Sequence, residues 1–252
     1  MTIDVITIFP RLVEAALSEG VVARARDAGL VEVTARDLRD FTDDRHRTVD
    51  DVPYGGGPGM VMKPEPLCRA VEAIGRERGA PSAVVLMTPQ GRRFTHAEAE
   101  RLSRMERLIV ICGRYEGVDE RVTESVVTDE LSIGDYVLTG GELPALVVID
   151  ATVRLVPGVV GDAGSVAEDS FVRGVLDYPH YTRPAVFEGL AVPDVLLSGH
   201  HGEIAKWRQR ERLRRTLRRR PDLLADAVLD ADNRRLLDEL RTELKESGDE
   251  GD

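Results

Sequence analysis

Two short apolar runs, AVVLM at residues 83–87 and LIVIC at residues 108–112, stand one helix-length segment apart, and this spacing constrains the fold more than any other feature of the chain. Such runs, with no polar alternation, read as strands buried on both faces. Strands joined by a helix lie parallel, so the pair predicts a βαβ unit with its loops at the carboxyl ends of the strands, where open α/β sheets bind ligands. Thr95-His96-Ala97-Glu98 reads as a capping box, which starts the intervening helix at His96 and carries it to about Met105.

The rest of the chain extends this pattern. TIDVITIF (residues 2–9) and LVEVTA (30–35) read as strands, and Pro10 opens a helix with Leu12, Val13, Ala16 and Leu17 on one face. Residues 64–78 carry Leu67, Ala70, Val71 and Ile74 at helical spacing, and residues 125–131 read as a further strand. Residues 142–156 read as a mostly apolar helix with Arg154 near its end. A body this small does not bury such a helix alone, which is consistent with a homodimer. GVVGDAG (158–164) has linker composition. From Ile204 the chain reads as helical, and the acidic tail at 247–252 as disordered. Periodicity alone predicts an ordinary open α/β sheet.

Three loops attract attention by composition. Residues 132–144 (SIGDYVLTGGELP) set glycines around a short apolar run, which reads either as a ligand loop or as a turn into the next helix. TPQG (88–91) and GRYEG (113–117) follow the two βαβ strands. A long irregular stretch, residues 36–63, contains His46 and PYGGGPGM (53–60); it is a flexible tip or a loop pressed against a substrate backbone. No GxGxxG or GxxxxGK[ST] frame occurs, which removes the dinucleotide fingerprint and the P-loop.

The net charge of −11 argues against a polyanion partner until its distribution is considered. Residues 206–220 hold nine basic groups against one acid, so the remaining chain carries −19. A solvated helix face is one reading of this run and phosphate contact the other; eight arginines favour the second. The apolar content of 42% and charged content of 31% suit a globular protein. No run reaches membrane-span length and the N-terminus lacks the basic region of a signal peptide, so the cytoplasm is expected. Cys68 and Cys112 read as reduced, packed thiols.

Arg154 and Asp169 stand beside apolar or glycine-rich sequence. A carboxylate in a partly dry site can act as a general base and an arginine can stabilise an oxygen gaining negative charge; a helix cap or plain ion pair is the alternative. His180, between Pro179 and Tyr181, reads as a packing or hydrogen-bonding element before a catalyst. His200-His201 lacks an evident third metal ligand.

Together, PYGGGPGM (53–60), CGRYEGVDER (112–121), IGDYVLTGGELP (133–144), EDSF (168–171), PHYTRP (179–184) and VPDVLLSGHHGEIAKWR (192–208) resemble the bacterial tRNA (guanine-N1)-methyltransferases, the TrmD family of SPOUT methyltransferases. The resemblance implies an α/β fold: a mostly parallel sheet with helices on both faces and a deep trefoil knot, an exception to general topology rules. It implies a methyltransferase domain at 1–160, a flexible linker at 161–175 and a small all-helical tRNA-binding domain at 176–246. The implied reaction is transfer of a methyl group from S-adenosylmethionine to N1 of guanine 37, just 3′ of a tRNA anticodon, by a homodimer with its active site at the subunit interface.

Position by position, the methyl-donor site falls on Thr88, Pro89, Gly113, Tyr115, Ile133, Gly134, Tyr136, Leu138, Gly140, Gly141 and Pro144. Asp169 matches the general base, Arg154 its partner, and Glu116 an acid that with Asp169 is linked to a Mg²⁺ dependence. His46, Gly55, Gly56, Gly57, Gly59, Ser170, His180, Arg183, Lys206, Arg208, Arg214 and Arg215 match tRNA-contacting positions. His200 departs from the family, in which many relatives have Asn. A SPOUT enzyme with another RNA target and a non-catalytic tRNA-binding protein remain the alternatives.

Overall fold

The computed structural model describes residues 1–161 and 168–246, with the side chain of Asp226 excepted. The chain divides into two compact units, Met1–Gly161 and Asp162–Asp252.

The first unit is built on a five-stranded sheet of order β2-β1-β6-β5-β7, in which every pairing is parallel. Its strands are β1 (Thr2–Thr7), β2 (Glu32–Asp37), β5 (Ala83–Arg93), β6 (Arg107–Cys112) and β7 (Asp129–Ser132). Alternate side chains sort to opposite faces, as a period of two requires. Ile3, Val5, Val85, Met87, Leu108 and Val110 enter one core cluster, and Ile6, Val84, Leu86, Ile109 and Ile111 the other. The first cluster is closed by α1 (Pro10–Leu17), α2 (Gly20–Asp27), α4 (His96–Ser103) and α6 (Glu142–Val153), the second by α3 (Pro64–Arg78) and α5 (Glu120–Ser125). The expected parallel sheet covered on both faces is therefore present.

Local chemistry sets the ends of these elements. Pro10 sits in the first turn of α1, where its missing N–H leaves no helical bond unmade, and Thr95 caps α4 by accepting from Glu98 N–H. Three sequence expectations are corrected. Residues 125–131 are not one strand: Asp119 caps α5 by accepting from Arg121 N–H, Val122 is buried beneath, and pairing begins only at Asp129. β5 does not end at Met87 but runs to Arg93, with its register on β7 shifted between Met87 and Arg92, so TPQG bows out within the strand. A Cβ at Gly91 would lie 2.5 Å from the Glu130 carbonyl carbon, which explains glycine where the bulge returns to β7. Finally, residues 36–63 are not wholly irregular: a 3₁₀ turn (Leu38–Phe41) precedes an antiparallel pair, β3 (Asp50–Asp51) and β4 (Val61–Met62), which carries the glycine loop at its tip.

The second unit contains α7 (Asp194–Leu197), α8 (His201–Arg219), α9 (Leu223–Asp226) and α10 (Ala231–Glu246). It is not all helical, because β8 (Val186–Phe187) and β9 (Leu190–Ala191) pair antiparallel. Val175, Leu213, Leu237 and Leu240 form its core. The expected acidic tail lies outside the described residues, as do residues 162–164 of the segment with linker composition. Among the described residues no helix is long and apolar enough to cross a membrane.

Candidate functional site

The loops after β6 and β7 and the bulge of β5 converge on one cavity of about 270 Å³, lined by residues 86–90, 113–118, 130–134 and 136–141 with Pro144. Close backbone approach makes it possible. Gly141 N–H donates to Gly113 C=O at 2.8 Å, and a Cβ at Gly141 would lie 2.7 Å from Cys112 Cα, so only glycine lets the loop lie against the end of β6. Tyr115, at φ 61°, takes a conformation that side chains seldom adopt and that surrounding structure must enforce. Here Glu116 N–H donates to Met60 C=O at 3.0 Å and Met62 N–H to Gly117 C=O at 2.9 Å. Burial and the Asp50 carboxylate raise the Tyr115 phenol above its ordinary range.

A buried polar cluster braces the cavity. Glu142, 1% exposed at the start of α6, accepts from Arg114 Nε at 3.0 Å and from the Thr7 hydroxyl at 2.8 Å. Arg114 also donates to Thr139 C=O at 3.0 Å and lies 4.4 Å over the Phe9 ring. Sequence reasoning missed Thr7, Arg114 and Glu142. The available signal was a carboxylate opening an otherwise apolar helix, since a buried acid needs a partner. Cys112 is packed as expected: burial first, then the Glu142 carboxylate, pushes its thiol well above the ordinary range, which keeps it protonated and inert.

Every residue expected at the methyl-donor site lines this cavity, and Glu116 lines it too. Gly59 lies against Glu116, where a Cβ would sit 2.7 Å from the carboxylate carbon. Gly55, Gly56 and Gly57 adopt positive φ in open space, and His46 is exposed with its N–H on Asp44. Arg154 is half-buried at the end of α6, its N–H donating to Asp150 C=O.

Asp169, Ser170, His180, Arg183, Lys206, Arg208, Arg214 and Arg215 belong to the second unit. Ser170 Oγ accepts from Asp177 N–H at 2.9 Å. The basic run is not uniformly outward. Arg212 is 4% exposed and donates to Glu168 C=O at 2.9 Å and to Asp177 at 3.2 Å. Lys206 pairs with Glu203, Arg214 with Glu211 and Arg208 with the Tyr178 ring. Surface ion pairs are weak, so Lys206 can exchange its partner for a phosphate at little cost. Among the described residues no group of three or more His, Cys, Asp or Glu side chains is arranged to hold a metal ion.

A model of the family described as tRNA (guanine-1)-methyltransferase TrmD matches residues 1–226. The chain is similar to proteins named tRNA (guanine-N(1)-)-methyltransferase in several bacteria. That of Pelotomaculum thermopropionicum is 57% identical over 247 residues, covering 98% of each chain. That of Dictyoglomus turgidum is 54% identical over 246 residues, covering 98% of this chain and 99% of its own. That of Geobacter metallireducens is 56% identical over 241 residues, covering 95% of this chain and 98% of its own.

Proposed function

The chain belongs to the tRNA (guanine-1)-methyltransferase TrmD family, and on that premise we propose that it transfers a methyl group from S-adenosylmethionine to N1 of guanine 37 in tRNA. The observation that carries this reading is the convergence of the expected donor residues on one glycine-cradled cavity. Backbone N–H and C=O groups of the glycine loops suit the edges of adenine and ribose, and Tyr115, Tyr136 and Leu138 offer apolar surface to a ring. The cavity accordingly suits the donor, which when bound supplies an electrophilic methyl on a sulfonium.

The chain's own residues have defined tasks in this scheme. Guanine N1 is protonated at neutral pH and becomes nucleophilic when Asp169 removes that proton. The negative charge that spreads to O6 is stabilised by Arg154. Asp169 is contributed to the donor cavity of the other subunit in a homodimer. Leu12 of α1 and Leu143 and Val147 of α6, all exposed, support such an apolar interface. The family's trefoil knot belongs to this reading, with the chain after β7 as the threaded part, as does a cytoplasmic location alongside tRNA. No step is assigned to Mg²⁺, because among the described residues no group of three or more His, Cys, Asp or Glu side chains is arranged to hold a metal ion.

The test is incubation with labelled donor and two tRNA transcripts differing only at guanine 37. Methylation of the guanine transcript alone, mapped to N1, is expected; equal labelling of both transcripts rejects the substrate.

A further inference from the structure

The second unit holds its own cavity, of about 350 Å³, lined wholly by residues of that unit. One wall is formed by residues 178–183, and Ile204, Trp207 and Arg208 of α8 line the space together with Ala185, Val192, Leu196 and Leu197. The Tyr181 and Trp207 rings have centroids 6.3 Å apart and planes tilted by 54°, too oblique to cover each other's flat faces. Tyr181 remains 50% exposed.

This wall is held from below. The buried Arg212 guanidinium lies 5.1 Å from the Tyr178 ring centre and bonds to Asp177, whose other carboxylate oxygen is 2.8 Å from His180 Nε2. Arg208 lies 4.8 Å over the same tyrosine ring. Flat aromatic faces and two arginines, Arg183 and Arg208, line the space, and among the described residues no carboxylate does. Arginines without a carboxylate disfavour a cation or a metal, and aromatic walls beside the aliphatic Val192, Leu196 and Leu197 suit a flat ring that carries an anionic group.

We infer that this cavity takes one unstacked nucleobase of the RNA substrate, its plane against Tyr181, its edge toward Trp207 and its phosphate toward Arg183 and Arg208. The inference rests on the RNA-substrate reading above but concerns a separate cavity. Recognition by stacking tolerates any base and anchors the RNA without reading its sequence.

Trp207 is the only tryptophan in the chain, so its fluorescence reports on the cavity without labelling. Titration of the full-length protein with a tRNA transcript is expected to quench that emission, saturating with methylation. In transcripts carrying one abasic anticodon-loop nucleotide each, one position should lose the quench and weaken binding about tenfold, on the order of one base stacked on an aromatic ring. Tyr181→Leu should weaken the intact transcript equally, add nothing to that abasic transcript, and leave the donor affinity and melting temperature unchanged. Normal methylation with unchanged emission, or a quench that no abasic position removes, overturns the base pocket and leaves the methyltransferase standing. A base-dependent quench with no methylation supports the pocket and rejects the enzyme reading.

Discussion

The buried carboxylate of Glu142 accepts the Nε–H of Arg114 at 3.0 Å, and the same guanidinium donates to the carbonyl of Thr139 at 3.0 Å. One side chain thus ties the loop after β6 to the loop after β7 and to the first turn of α6. Removing the buried acceptor takes the ion pair from Arg114 and leaves the buried Thr7 hydroxyl without its partner, at a cost of about 1–3 kcal/mol. Glu142→Ala is therefore expected to lower the urea midpoint strongly. Arg114→Lys, which keeps the charge but cannot make both bonds, should weaken S-adenosylmethionine binding more than stability. Calorimetric titration and urea unfolding of both variants separate the effects, and donor affinity unchanged in Arg114→Lys would remove the arginine from the positioning of the cavity.

Gly141 and Gly161 form a matched test of backbone proximity. A Cβ at Gly141 meets Cys112 and Gly113 backbone atoms at 2.7 and 2.9 Å, whereas one at Gly161 meets nothing within 4 Å among the described residues. Overpacking against backbone costs about 1–3 kcal/mol. Gly141→Ala is expected to destabilise the protein on that scale and to lose donor binding in calorimetry, while Gly161→Ala matches wild type. Equal donor affinity in both variants contradicts the cradle.

Acid sensitivity follows from Asp177 and Asp129. Burial opposes the charged form of Asp177, but His180, the Tyr178 N–H and Arg212 outweigh it and hold the carboxyl below its ordinary range. At Asp129 burial is likewise overcome, by Arg92, Thr128 and Arg101. A carboxyl with a lowered folded pKa stabilises the fold above its unfolded value of about 3.9 and loses that contribution as pH falls through the folded value. Stability in urea should therefore fall below about pH 4. The fall should be shallower in Asp177→Asn; an identical pH profile in that variant would show that the site is not held as described.

The centre of the sheet was legible in sequence because residues 83–87 of β5 and 108–112 of β6 are uninterrupted apolar runs, and the cavity loops because glycines mark them. What stayed hidden depended on partners remote in the chain. Nothing near Met87 announces that β5 resumes at Arg92, since the bulge is defined by its register on Leu131 of β7. The residues at 125–127 are strand formers by composition, but Ser125 closes the helix begun at Asp119, its hydroxyl donating to Arg121 C=O at 2.5 Å. Arg114 and Glu142 are 28 residues apart, and neither alone predicts a buried pair. Arg212 resembles its neighbours in the basic run; only Glu168 and Asp177, both distant in sequence, make it structural.

The proposed sharing of the site predicts complementation between subunits. Gly141→Trp fills the proposed donor cavity of its own subunit and Asp169→Asn removes the proposed base, so mixed dimers should regain activity that neither variant has alone. Verified mixed dimers that stay inactive would place base and donor in the same subunit.

Single-turnover methylation of a guanine-37 tRNA by Asp169→Asn protein, with donor affinity measured on the same preparation, tests the central claim most directly. The account predicts unchanged S-adenosylmethionine binding with methyl transfer slowed at least ~100-fold, the scale of a lost general base. Transfer at a near wild-type rate would contradict it.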